Sequence, residues 1–290
     1  MFKGSIVAIV TPFKNGAVDE EKLRELVEFQ ISSGTDAIVP CGTTGEASTL
    51  DDVEHDRVIE IVIQQVNKRV PVIAGTGSNS TAETIELTRK AKELGADGVL
   101  LVTPYYNKPT QEGLYRHYMA IADAVAIPQI LYNVPCRTGV NLLPETVARL
   151  AEHLNVVAIK EASGSLQQAS EILNLAGDKI DLLCGDDFIT FPMMVCGAKG
   201  VISVTANIMP AEIAALVDAF LAGNLEKACR FHLNMLKINN AMFVESNPAP
   251  VKAALGLMGK CSDEVRLPLC PLTDANKTKL GAIMKEYQLI

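Results

Sequence analysis

Eight short runs of β-branched and aliphatic residues recur along the chain, and a stretch of helical period follows each. The runs are residues 5–10, 37–39, 70–74, 98–102, 129–132, 156–160, 181–184 and 200–203. They are apolar on both faces, as strands buried in a parallel sheet are. The segments between them are 19–33, 53–66, 81–93, 111–124, 144–151, 166–176, 188–195 and 210–222. In the first, Leu23, Leu26, Val27 and Ile31 fall on one helical face. Ser80 or Thr81 ahead of Glu83, and Gly95 after Leu94, mark where one helix starts and stops.

Eight strand–helix repeats build either a closed barrel or an open doubly wound sheet. Their even spacing favours the barrel. The glycine cluster at Gly75-Thr76-Gly77-Ser78-Asn79-Ser80 has serine where a dinucleotide fingerprint needs its third glycine. The expected fold is a (β/α)8 TIM barrel over 1–223 with a helical appendage over 224–290, where 225–243, 248–257 and 274–287 read as helices without strands between them. A length of 290 residues suits one such barrel with an extension.

Composition excludes several functions. A net charge of −8 and the absence of Trp argue against nucleic-acid binding. The seven Cys form no C-x-x-C pair, so they read as reduced thiols of a cytoplasmic protein. The four His form no metal-ligand spacing, and no metal is expected. The apolar run 6–10 is too short for a signal peptide, and no stretch approaches the ~20 residues of a membrane span.

In a barrel of this kind, chemistry collects where strands end at their carboxyl side. Those ends read Gly42-Thr43-Thr44-Gly45-Glu46, Thr103-Pro104-Tyr105-Tyr106-Asn107, Tyr132-Asn133-Val134-Pro135 with Arg137, Lys160-Glu161-Ala162, Gly185-Asp186-Asp187 and Ser203. Lys160 closes an apolar strand, where a lysine needs either a counter-ion or a task. A neutral amine there can form an imine with a keto acid, and an ion pair with Glu161 or Asp186 is the plainer reading. Gly42-Thr43-Thr44-Gly45 is either a turn or a carboxylate cradle. Tyr132 is either a proton carrier or a buried tyrosine with a satisfied hydroxyl. Of Tyr105 and Tyr106, adjacent in a loop, one is expected to serve this site. Arg137 is a carboxylate fork or a surface arginine. His55 reads as a solvated helix residue, and Cys and Met within apolar runs read as core.

Taken together, these stretches resemble the dihydrodipicolinate synthase family along essentially the whole chain. The likeness runs from Gly4-Ser5-Ile6-Val7-Ala8-Ile9-Val10-Thr11-Pro12-Phe13 to Phe243-Val244-Glu245 and Arg266-Leu267-Pro268. It implies a class I lyase that condenses pyruvate with L-aspartate 4-semialdehyde on the diaminopimelate route to lysine, without a cofactor. By that resemblance Lys160 forms the imine and Tyr132 relays protons. Thr43 links Tyr132 to Tyr106, which crosses from a neighbouring subunit. Thr44 holds the pyruvate carboxylate and Arg137 that of the semialdehyde, while Gly185 and Ile202 offer main-chain carbonyls. It also implies a homo-oligomer of at least two subunits, tetramers being usual in the family. L-Lysine inhibits many members at positions matched here by Ser48, His55, Asn79, Glu83 and Tyr105. Asp52 departs, standing where the enteric pattern has histidine. Rival readings are a sister pyruvate lyase (N-acetylneuraminate lyase or a 2-keto-3-deoxy sugar acid aldolase), from which Arg137 distinguishes the chain, and a non-catalytic keto-acid-binding barrel.

Overall fold

A computed structural model describes residues 2–290. Its eight principal strands are β1 (Gly4–Ala8), β2 (Ala37–Val39), β3 (Ile73–Gly75), β4 (Gly98–Val102), β5 (Gln129–Asn133), β6 (Val156–Glu161), β7 (Asp181–Cys184) and β8 (Gly200–Ser203). They pair in the order β2-β1-β8-β7-β6-β5-β4-β3, each neighbour parallel to the next. A parallel bridge from Ile38 to Val72 joins the two ends. The ring is therefore closed, as the spacing of the runs predicts.

Eight helices return the chain between or after the strands: α1 (Glu20–Ser32), α2 (Asp52–Val66), α3 (Thr81–Leu94), α4 (Gln111–Ala124), α5 (Pro144–Leu150), α6 (Leu166–Ala176), α7 (Thr190–Cys196) and α8 (Pro210–Leu221). Ser80 caps α3 by accepting from the Glu83 N–H, and Gly95 ends it in the left-handed region at φ +99°. The differences from sequence expectation have local causes. Strand β3 starts late because Pro71 has no N–H for the ladder, although its carbonyl accepts from Ile38. Strand β1 stops early because the Val10 N–H turns to the Asn207 side chain at 3.0 Å. A small antiparallel hairpin, Phe13–Lys14 with Ala17–Val18, was not anticipated. Its turn is Asn15-Gly16, both at positive φ, which is a strong short-range hairpin signal.

Side chains alternate along each strand, so every strand feeds two cores. Ile6, Ala37, Val39, Ile73, Ile130, Ala158 and Ile202 pack inside the barrel with Tyr132. Val7, Ile38, Val99, Leu131, Ile159 and Leu182 face outward against the helices. No described helix is long and apolar enough to cross a membrane.

Three further helices follow, α9 (Leu225–Ala241), α10 (Ala249–Leu257) and α11 (Asp274–Glu286). They are tied into the barrel by polar bonds that no local pattern announces. Lys252 on α10 is fully buried and donates to Glu46 at 2.6 Å. Glu46 sits in the loop after β2 at φ +55° and also accepts from the Arg266 N–H at 3.0 Å. The ammonium of Lys252 lies 4.0 Å from the centre of the Phe13 ring. Burial pulls the Lys252 pKa down and the Glu46 carboxylate opposes that pull. Arg266 in turn forks onto Glu54 at the start of α2, with both contacts at 2.5 Å.

Removing one member of a buried ion pair strands the other without solvent or partner. Lys252→Met is therefore expected to destabilise the fold by about 3–5 kcal/mol, read as a lowered thermal unfolding midpoint. Adding Glu46→Gln should recover part of that loss. A double variant as unstable as the sum of the single ones would show that the pair is not coupled.

Candidate active site

Strand parity decides where Lys160 points. Strands β5 and β6 pair with Tyr132 opposite Lys160 and Asn133 opposite Glu161. Ala158 and Tyr132 belong to the interior core, so Lys160, two residues after Ala158, faces inward as well. It is 5% exposed, and its ammonium lies 4.3 Å from the centre of the Tyr132 ring. Glu161 takes the opposite parity and points out of the barrel. There its carboxylate accepts from Asn133, Ser163 and Gln168 at 2.7–3.3 Å.

This answers the plainer reading of Lys160. Among the described residues it has no ion pair within 4.0 Å and no hydrogen bond. Glu161 is engaged elsewhere. Asp186, just past β7, is near enough for its charge to interact with that of Lys160. Burial pushes the Asp186 carboxyl up to about 6, with Lys160 drawing it back down. Asp187 is also pushed up by burial, against bonds from Ser203 and Thr205 and from the Val204 N–H. Gly185 makes room for the lysine: a Cβ there would meet Ala162 Cβ at 2.6 Å and Lys160 Cε at 3.1 Å.

A cavity of about 480 Å³ opens beside this centre, lined by Thr43, Tyr132, Val134 and Arg137 among others. Glycines keep its floor compact. A Cβ on Gly75 would meet the Cys41 carbonyl at 2.1 Å, and one on Gly77 the Val102 nitrogen at 2.3 Å. Gly75 and Gly77 of the cluster after β3 thus allow close backbone packing. Thr44, next to Thr43 of the cavity wall, is 2% exposed, and its hydroxyl accepts from Asn247 at 3.0 Å. Among the described residues, the main-chain N–H groups of Thr43 and Thr44 donate to no protein group. Arg137 is exposed, and one of its nitrogens donates to the Asn247 carbonyl at 3.1 Å. Ile202 lies in the interior core.

The remaining candidates divide. Tyr106 is 89% exposed, at φ +69°. Within one chain no hydrogen bond joins it to Thr43 or Tyr132. Tyr105, the other of the pair, lines the cavity with Ser48, His55 and Glu83. Asn79 lies off that lining, and its carbonyl accepts from Asn107. Glu83 bonds to Ser78. His55 is not the solvated residue its polar neighbours suggest. It stands three and four residues before Val58 and Ile59 and shares their buried face. Its Nε2 reaches the Gly75 carbonyl at 2.9 Å, so in the neutral ring Nδ1 is the acceptor, and Nδ1 has no hydrogen-bond partner. Cys196 closes an apolar run yet is exposed, whereas Cys41, Cys184 and Cys261 are core. Sequence reasoning missed Asn247, which touches both carboxylate candidates from more than 100 residues away. No local signal marks it.

A model of the dihydrodipicolinate synthetase family matches residues 1–287. The chain belongs to that family. The 4-hydroxy-tetrahydrodipicolinate synthase of Geobacter sulfurreducens is 82% identical over 290 residues, covering all of both chains. Among solved structures, the dihydrodipicolinate synthase of Acinetobacter baumannii, chloride-inhibited and complexed with pyruvate, superposes with a TM-score of 0.98 at 50% identity over all of both chains. The enzyme from Cyanidioschyzon merolae, with lysine bound, does so at 0.96 and 42% identity, over all of this chain and 99% of that one. Family members at this identity leave no room for the sugar-acid lyase or silent-barrel readings, and the chain is a class I lyase.

A carboxyl whose folded pKa is raised favours its protonated form. Its contribution to stability is fully present below the unfolded value near 4 and is lost progressively until the pH passes about 6. Asp186→Asn should therefore flatten the pH dependence of urea unfolding between pH 4 and pH 7, and gain at most about 3 kcal/mol at the upper end. An unchanged slope would show that Asp186 ionises freely in the fold.

Proposed function

We propose that this chain makes 4-hydroxy-tetrahydrodipicolinate from pyruvate and L-aspartate 4-semialdehyde, with Lys160 as the covalent carrier. The observation that carries the reading is a buried lysine without a counter-ion, packed against a tyrosine ring at a strand end. The Lys160 amine is buried at the strand end, has no ion pair within 4.0 Å among the described residues, and is placed to act as a nucleophile. The free amine attacks the pyruvate keto carbon and water departs, which leaves an imine. Protonated, the imine is an electron sink, so the pyruvate methyl loses a proton and becomes an enamine. The enamine carbon bonds to the semialdehyde carbon. The substrate's own amine then displaces Lys160 and closes a six-membered ring.

Tyr132 is the proton carrier in this scheme. Its phenol makes no hydrogen bond within the protein and so is free to exchange protons with substrate or water. Each well-placed proton transfer is worth roughly 10²–10⁴ in rate. Thr43, on the same cavity wall, is the proposed link from Tyr132 to the Tyr106 of an adjoining subunit. An almost fully exposed tyrosine in a left-handed backbone supports that reading, which requires at least a dimer. Thr44 and the unspent N–H groups beside it suit the pyruvate carboxylate, and the Arg137 guanidinium suits that of the semialdehyde. Gly185, beside Lys160, and Ile202 of the interior core are the proposed sources of main-chain carbonyls near the site. Asp186, whose carboxyl burial pushes up to about 6, lies near enough for its charge to interact with that of Lys160.

Borohydride added with pyruvate should reduce the imine and label Lys160, located by peptide mass mapping, and Lys160→Ala should take up no label. Label elsewhere, or none, would overturn the assignment.

L-Lysine is the proposed inhibitor, held near Ser48, His55, Asn79, Glu83 and Tyr105. The exposed Glu83 carboxylate suits an ammonium group. The cavity that contains most of these residues also touches Thr43 and Tyr132, so a ligand there would press on the proton path. Activity should fall as lysine is raised into the millimolar range. A flat curve would show that Asp52 or its surroundings have abolished the site.

A further inference from the structure

We infer that Asn247 is a positioning residue that orients both carboxylate-binding groups of the reaction at once. The inference rests on the proposed roles of Thr44 and Arg137. Asn247 is 5% exposed and lies just before α10. Its side-chain amide donates to the Thr44 hydroxyl oxygen at 3.0 Å. Its main-chain carbonyl accepts from the Arg137 guanidinium at 3.1 Å. One residue thus bridges the group that holds the first substrate's carboxylate and the group that holds the second's.

The direction of the first bond matters. A threonine hydroxyl has one proton and two lone pairs. With the amide oriented so that Nδ2 faces Thr44, the hydroxyl spends a lone pair and keeps its proton, which no group takes among the described residues, while the Asn247 Oδ1 stays buried without a donor. The adjacent N–H groups of Thr43 and Thr44 are unspent too. Three donors therefore remain in one loop with no acceptor, an arrangement that binds an anion and repels a cation. With an acceptor in place of the amide, the hydroxyl would rotate and give its proton to that residue. The second bond fixes one edge of the guanidinium and leaves its other nitrogens to meet a carboxylate.

The position of Asn247 is itself set by the buried pair next to it. Lys252, on the first turns of the following helix, is bonded to Glu46, two residues after Thr44. The loop and the residue that orients it are thus held at fixed separation by a second contact.

The test compares Asn247→Ala, Asn247→Asp, Thr44→Val and Asn247→Ala/Thr44→Val by steady-state kinetics in both substrates, with unfolding midpoints as a check on folding. Asn247→Ala should raise the pyruvate KM by a factor of about 2–10, the worth of one hydrogen bond, with kcat changing less. Asn247→Asp should raise it further, because the new carboxylate captures the hydroxyl proton and repels the substrate. The semialdehyde KM should move less than that for pyruvate, because the carbonyl on Arg137 belongs to the main chain. The double variant should be little worse than Thr44→Val alone. Effects that multiply, or Asn247→Asp no worse than Asn247→Ala, would overturn the role of Asn247. Thr44→Val without effect on pyruvate would overturn the cradle itself, and the role of Asn247 with it. Should Asn247→Asp fail to fold, the cycle with Thr44→Val decides.

Discussion

A single inward-facing lysine inside an apolar barrel is the constraint on which the rest of the structure turns. The β5–β6 register sets it, since a slip of one residue would place Glu161 in the interior and Lys160 among the helices. The outward carboxylate is given its own partners in Asn133, Ser163 and Gln168, so it makes no claim on the amine. The glycine after β7 clears the space that the side chain fills. Each of these features is costly or neutral for stability taken alone. Together they hold an amine largely out of water and, among the described residues, without a carboxylate within 4.0 Å.

The two buried lysines of the chain show how surroundings decide the use of one residue type. Lys252 is as buried as Lys160, but it has a carboxylate at 2.6 Å and the face of Phe13 at 4.0 Å. Its charge is satisfied and its work is mechanical. Lys160 has an aromatic ring and no anion in contact. Sequence position alone gives both lysines an apolar neighbourhood, and only the partners separate them.

The barrel was legible in the sequence because each strand is a local apolar run and each helix a local period. Every principal strand lies where such a run predicts it, to within a few residues. The exceptions involve groups that leave the ladder, as at Pro71 and Val10. The strand ends then located Lys160, Tyr132, Thr43 and Arg137, because barrel geometry gathers those ends in one place. What stayed hidden depends on distant partners. Glu46 reads as the last letter of a turn motif until Lys252 arrives from 206 residues away. Asn247 reads as a loop asparagine until Thr44 and Arg137 are seen against it. His55 misled because its polar neighbours in sequence outweighed its helical spacing to Val58 and Ile59. Tyr106 is 89% exposed and makes no side-chain hydrogen bond among the described residues, so one chain supplies its hydroxyl with no partner.

The bond between Lys252 and Glu46 also has a bearing on biosynthesis. The loop after β2 leaves the ribosome long before α10 does, and 206 residues separate the two partners. At roughly 5–20 residues per second, that is a delay of about 10–40 s. Throughout it, the nascent barrel carries a carboxylate whose buried partner has not yet been made. The loop after β2 can therefore take its final form only once α10 has been made and has docked.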